Sequence, residues 1–351
     1  MKFFLLSLVS ILLHKATVES FTSTAAMAKR NTNIVLGSSA TDEASKESSA
    51  AVTKNLKPDR YIASNRFAVR AGKEAKFEKR WANRKSRLAE LDGFKYFHLM
   101  RRVTLDEKEG VKYDGGKKKD IQGNYVSLTV WQNKSNFNAW RKGDAFREAH
   151  GGTSVGAFVS TMVSSIRILK GAPKPAFYDG LLVQSEAPES IPETVDGWRN
   201  VEFPEDGGTL PVECFVACNQ FYVPQENAVA FEQRWANRES LLKFCEGFVA
   251  FTMMRRDAKT KTHGSEEMDE SAEPTYVSTT IWKDRQSFEK WRSGSNFSKV
   301  HGQKGKSESD KKDSEKKEEA PKKPAGPPLW SRPPTPIFYE GTLVISTKDG
   351  A

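Results

Sequence analysis

Cysteine is scarce in this sequence: Cys214, Cys218 and Cys245 are the only three in 351 residues, and all lie in the second half. An odd count without paired spacing excludes a disulfide-stapled scaffold or a zinc framework. Long apolar runs are also missing. The one such stretch, residues 3–13, is far short of the roughly 20 residues a spanning helix needs, so a soluble mature protein with no membrane partner is expected. No Gly-x-Gly-x-x-Gly lies between a strand and a helix, so there is no dinucleotide fingerprint. Charge of a single sign is lacking too. Lys+Arg 55 against Asp+Glu 45 gives a net +10, but the two signs are interspersed and no recognition motif accompanies them, so nucleic acid is not expected as a partner.

What is present begins with a leader. Lys2, the apolar run FFLLSLVSILL and the small-residue end at 18–20 have the layout of a signal peptide whose removal would expose Phe21. Residues 21–55 are rich in Ser, Thr and Ala, and Lys29 and Arg30 precede the first acid, Asp42. A signal peptide joined to a transit-like, disordered segment that begins with Phe resembles the bipartite leaders of algae with complex plastids, which makes a plastid location the expectation and secretion the alternative.

The body of the chain is an internal repeat. F-E-K-R-W-A-N-R beginning at Phe77 recurs as F-E-Q-R-W-A-N-R at Phe231; Gly93-Phe94 matches Gly247-Phe248; Y-V-S-L-T-V-W at Tyr125 matches Y-V-S-T-T-I-W at Tyr276; His150-Gly151 matches His301-Gly302. Each copy reads as a strand (62–69, 213–223), an amphipathic helix (73–91, 226–244), a Gly-Phe turn, a strand ending in Met-Arg-Arg, a charged loop, a strand, short helices around 135–150, and a last strand. That is β-α-β-β-α-β order, an α+β ferredoxin-like unit. The domains are then 56–186 and 211–347, joined by an acidic linker at 187–210. The tract 303–328 has mixed charge and prolines and is expected to be disordered. After the shared His, residues 155–169 of the first copy carry apolar side chains at helical spacing, which suggests a covering helix. One unit leaves a sheet face bare and its tethered sibling can cover it, so a pseudo-twofold barrel is expected.

With Asn-Arg-Phe on the first strand, T-V-W-x-x-x-x-x-F-x-x-W and then F-x-x-x-H, each half resembles the antibiotic biosynthesis monooxygenase (ABM) superfamily of dimeric α+β barrels, and within it the haem-degrading IsdG-type branch. The resemblance covers about 120 residues per copy and departs from the pattern in the long leader and the apolar segment after His150. It implies an intramolecular barrel of two tandem ABM domains. It also implies a haem site made by Asn65, Trp140 and His150 in the first copy and Asn219, Trp291 and His301 in the second, each His being an axial iron ligand. Arg80, Arg84, Arg234 and Arg238 could pair with haem propionates. The residues also have simpler readings: a His at the carbonyl end of a helix, an Asn bonded to backbone, core tryptophans, a solvated arginine face. His98 has no counterpart in the second copy and reads as structural.

The function implied is a monooxygenase that degrades haem and releases iron, haem serving as substrate and cofactor together with molecular oxygen. Electrons would come from an external donor, a reductase or a small-molecule reductant. Two alternatives stand beside it: a cofactor-independent ABM monooxygenase acting on a phenolic or quinone-like substrate, and a haem carrier without turnover. The polar tract after His301, against the apolar segment after His150, points to the second site as at least as important as the first.

Overall fold

The structure is a computed structural model, described over residues 54–105, 123–150, 165–260, 273–294, 328–348 and 350. The leader, most of the segment expected to lid the first site, His301, and the mixed-charge tract but for its last residue lie outside the described residues.

Strands β1 (Arg60–Phe67), β2 (Phe94–Val103), β3 (Tyr125–Trp131) and β4 (Lys174–Ser185) belong to the first copy, and β5 (Cys214–Phe221), β6 (Phe248–Arg256), β7 (Tyr276–Trp282) and β8 (Thr335–Ser346) to the second. Within each copy the first strand is central, paired antiparallel to the third and the fourth. The two sheets join edge to edge at β2–β8 and β4–β6, closing one barrel in the order β1-β3-β2-β8-β5-β7-β6-β4. Closure removes all sheet edges, and with them the unpaired backbone groups that each half would expose alone. Both seams carry a register shift, at Leu181/Gln184 and at Phe97/Leu99. Leu182 (φ 54) and Leu343 (φ 49) sit at these two bulges in left-handed backbone, a conformation that β-strand residues reach only when a bulge bends the strand into a closed barrel.

Period-two alternation sorts each strand between two layers. Ile62, Val126, Leu128, Val216, Cys218 and Ile337 fill the barrel interior. His98 is buried there too, against Tyr96. The outer faces carry Tyr61, Ala63 and Phe67 in the first copy, and Phe215, Ala217 and Phe221 in the second, under the helices. Asn65 and Asn219 lie on that outer face, as the alternation predicts.

The helices that cover it are α1 (Glu74–Ala82), α2 (Lys134–Lys142) and α3 (Asp144–Ala149) in the first copy, and α4 (Ala228–Ala236) and α5 (Arg285–Ser293) in the second. Helices running over 73–91 and 226–244 do not form. Each stops at Ala82 or Ala236, and only a short 3-10 turn follows, at Leu88–Glu90 or Leu242–Phe244. The residues after each stop, Asn83 to Ser86 and Asn237 to Ser240, include weak helix formers. The turn between helix and second strand does require its glycine: Gly93 and Gly247 have φ of +72° and +75°, and a Cβ would meet Asn136 Cγ at 2.3 Å or Ser287 Oγ at 2.2 Å. Asn133 and Asp284 cap α2 and α5 by accepting from Asn136 N and Ser287 N at 3.0 and 2.7 Å.

Two buried glutamates on α1 and α4 tie the copies together. Glu78 accepts from Tyr125 OH (2.6 Å), Arg101 Nη1 (3.0 Å) and Leu210 N (2.5 Å). Glu232 accepts from Tyr276 OH (2.7 Å), Arg255 Nη1 (2.9 Å), Asn55 Nδ2 (2.9 Å) and Leu56 N (2.6 Å). The segment preceding each domain thus bonds to the other domain's glutamate, an exchange of arms. The same arginines cross the seams, Arg101 to Glu340 (2.9 Å) and Arg255 to Asp179 (2.8 Å).

Candidate functional site

Between the outer sheet face and the helices of the second copy lies a cleft of about 340 Å³. Its floor is Ala217, Asn219, Ser278 and Thr280; Trp235 and Arg238 come from the end of α4, Phe288, Trp291 and Arg292 from α5, and Phe251 and Phe338 from the flanking strands. Trp235 stacks on Phe251 at 5.9 Å, and the Arg238 guanidinium lies 4.8 Å over the Trp235 ring, so burial lowers its pKa. Asn219 is exposed to the cleft. Among the described residues its side-chain amide has no hydrogen-bond partner, and neither has that of Asn65. A wall of five aromatic rings above hydroxyl and amide groups accepts a flat ligand with polar edges, and Arg238 and Arg292 supply positive charge for an anionic one. Arg234, by contrast, faces solvent.

In the first copy Trp140, Arg84 and His150 come together, with Arg80 beside Arg84, and Asn65 shares only the outer sheet face. His150 caps α3 and stacks on Phe146 at 4.0 Å, with Trp140 at 6.2 Å. Its Nδ1 lies 2.8 Å from Phe146 O and its Nε2 3.4 Å from Arg84 Nη2. A carbonyl can only accept and a guanidinium can only donate, so the ring carries its proton on Nδ1 and presents the Nε2 lone pair. Burial against Phe146 and Trp140, then the Arg84 charge, push its pKa down to about 4, although its outer edge is exposed. Burial and neighbouring Arg80 also lower Arg84, to about 10. Arg80 donates to Ser165 Oγ at 2.9 Å. Trp140 Nε1 and Arg84 Nε are buried and have no hydrogen-bond partner among the described residues.

A neutral imidazole, an indole and arginines are the kinds of residue that could hold an iron-bearing planar anion, but here His150 Nε2 already faces Arg84 Nη2. No cluster of three or more His, Cys, Asp or Glu gathers among the described residues, so metal held by a multi-ligand cage has no support there. The two clefts nevertheless differ in a way the sequence did not reveal. Residues 187–210 are more than a tether: Trp198 and Leu210 are buried in the first copy's outer layer, with Val201 and Phe203 packed against it. Of the segment expected to lid that site, only 165–169 are described, and there Leu169 bridges Val69 at the sheet edge.

A family model described as antibiotic biosynthesis monooxygenase matches residues 60–152 and 214–303. Among solved structures, the chain is similar to a candidate monooxygenase of Fusobacterium nucleatum (10% identity, 84% of this chain and 97% of that one, TM-score 0.46). It is also similar to one of Lactobacillus acidophilus (7%, 84% and 98%, 0.46) and to an anthrone oxidase-like protein (10%, 85% and 97%, 0.37).

Proposed function

Because the chain belongs to the antibiotic biosynthesis monooxygenase family, and so to a group of oxidative enzymes, we propose that it is a monooxygenase that degrades haem in the cleft of its second domain and releases the iron. The observation that carries the reading is that cleft: an unpartnered Asn219 amide on the sheet floor faces a wall formed by Trp291 and Trp235, with Arg238 beside them. Haem, when bound, supplies the oxygen-activating iron and is itself the molecule oxidised. The protein's own part is positional. Trp291 and Phe288 would pack against a flat ligand, Asn219 would offer an amide donor, and Arg238 and Arg292 would pair with its carboxylates. His301 repeats the F-x-x-x-H spacing of His150, whose Nδ1 bond to a carbonyl one turn back keeps Nε2 free of a proton. His301 would be the residue that holds the haem iron.

The test is a haemin titration of the purified chain followed by ascorbate in air. Binding should raise a Soret band, and the reductant should bleach it while iron becomes available to a ferrous chelator. A stable Soret band under reductant would leave a haem carrier; no Soret band at all would remove haem.

A second reading is supported by the size of the cleft. At about 340 Å³ it is near the lower end of the roughly 300–1,000 Å³ of small-molecule sites, and its aromatic walls and hydroxyl floor suit a phenol or hydroquinone of a few rings. Oxygen uptake with such a substrate in the absence of haemin would favour it.

A further inference from the structure

We propose that Trp198 is the standing occupant of the first domain's cleft, so that the chain takes its ligand in the second domain alone. The identity of that ligand as haem rests on the reading above; the occupancy of the first cleft does not.

The repeat supplies the comparison. Trp81, Arg84 and Phe97 in the first copy correspond to Trp235, Arg238 and Phe251 in the second, and the latter three line the open cleft. In the first copy the same three residues receive Trp198. Its ring lies 5.1 Å from that of Phe97, its Nε1 donates to Trp81 O at 3.2 Å, and the Arg84 guanidinium lies 6.0 Å over it. Only 4% of Trp198 is exposed. With a satisfied indole N–H, an aromatic ring beside it and a guanidinium over it, it has the surroundings of a bound aromatic ligand.

The linker is built to deliver it. Val195 N donates to Trp198 O at 2.8 Å and Trp198 N to Val195 O at 3.1 Å, while the two residues between them, Asp196 (φ 50) and Gly197 (φ 71), are both left-handed. Asp-Gly with two positive φ values is the tight hairpin turn of the I′ type. Gly197 is needed there twice over, since a Cβ would come within 2.7 Å of the Arg87 backbone. The turn docks by Gly197 O accepting from Ala89 N at 3.1 Å, on the 3-10 segment that replaces the end of the expected helix. On the far side Arg199 Nη1 reaches Glu213 Oε2 at 2.5 Å and Val344 O at 2.8 Å, and Leu210 N bonds to buried Glu78. Trp198 is therefore held from both sides.

The occupancy propagates to the would-be iron ligand. Arg84, lying against Trp198 and 4.7 Å over Trp81, turns Nη2 to His150 Nε2, the lone pair a metal would need. A ligand entering the first cleft must displace the indole and the guanidinium together.

Two measurements on the full-length mature chain decide the matter. Haemin titration should saturate at one equivalent, and Trp198→Ala should admit a second. In the chain labelled with 5-fluorotryptophan, the fluorine resonance that disappears in Trp198→Phe should be insensitive to a soluble paramagnetic probe, with or without haemin. Two equivalents in the unaltered chain, a probe-broadened Trp198 resonance, or one equivalent in a folded Trp198→Ala would each overturn the proposal. If Trp198→Ala does not fold, the stoichiometry and the resonance of the unaltered chain still decide. No haemin binding with a protected resonance would defeat the haem reading and leave the occupancy supported.

Discussion

Replacing Glu232 by Ala removes one carboxylate that serves two domains and an arm. Its side chain is fully buried, and it accepts from Tyr276 OH, Arg255 Nη1, Asn55 Nδ2 and Leu56 N within 2.6 to 2.9 Å. Alanine would leave Tyr276 OH and Leu56 N without an acceptor, and Arg255 with Asp179 and the Leu56 carbonyl. Removing one partner of a buried ion pair costs about 3–5 kcal/mol. At roughly 2–4 °C per kcal/mol for a folded body of some 150–250 residues, the melting temperature should fall by about 6–20 °C. Glu232→Gln keeps the volume and one acceptor oxygen but turns an amide N–H toward the Leu56 or Asn55 donors, so it should fall between the unaltered protein and Ala. Glu78→Ala should cost a similar amount through Tyr125, Arg101 and Leu210. Calorimetry of the purified variants is the assay, with hydrogen exchange at Leu56 as a local readout. A drop of less than about 2 °C for Glu232→Ala, or unchanged protection at Leu56, would refute the claim that this carboxylate fastens the arm.

His301→Ala should shift or abolish the Soret band of the haemin complex while His150→Ala leaves it near its original intensity, because Arg84 already engages His150 Nε2; equal losses in both would contradict the asymmetry. Burial in the barrel depresses His98 to about 4 from its ordinary 6.5, so the folded chain holds fewer protons than the unfolded one between those values. Stability should therefore fall as pH drops from about 6.5 to 4 and level off below, on the order of 3 kcal/mol at about 1.4 per unit. His98→Thr, which copies Thr252 of the second domain, should remove that part of the slope in urea midpoints measured against pH. Burial would raise Asp257, but hydrogen bonds from Lys134 (2.5 Å), Thr260 (2.7 Å) and Tyr61 (2.9 Å) outweigh it and hold the carboxyl at about 2. Its stabilisation is thus present above the ordinary carboxylate pKa near 3.8 and lost as pH falls toward 2; Asp257→Asn should flatten the acid limb of the same curve.

The repeat made the barrel legible before any coordinates, because strands with one apolar face and no partner sheet must find one, and the sibling copy is tethered nearby. Alternation also placed Asn65 and Asn219 on the strand face of Phe67 and Phe221, since a period of two leaves no choice, and the fold turns that face to the helices. Other features were hidden for physical reasons. Glu78 and Glu232 look like any charged position on an amphipathic helix, and the donors that make burial of a carboxylate tolerable, an arginine and a tyrosine of the same copy and Leu210 N or Leu56 N, come from distant sequence. The helix ends were misplaced because residues 83–91 and 237–244 contain enough helix formers to continue, whereas the fold spends the first stretch on docking the linker turn. That turn did leave a local signal, Asp196-Gly197 followed by a tryptophan, within a segment whose acidity and prolines drew it toward a linker.

Arm exchange and cleft occupancy have a common root in covalent duplication. In a barrel made from two separate identical chains, each preceding segment and each cleft must be the same by symmetry. Joining the copies removes that constraint, because the segment before the second domain is now also the segment after the first. Residues 187–210 can therefore satisfy Glu78 at one end with Leu210 and fill a cleft in the middle with Trp198, whereas the described residues before the first domain satisfy Glu232 through Asn55 and Leu56. A buried carboxylate demands its network of donors in both halves, so that feature stays symmetric. An open cleft makes no such demand: filling one with an indole gains buried apolar area and leaves the other free to bind. The asymmetry thus falls where symmetry was least costly to lose.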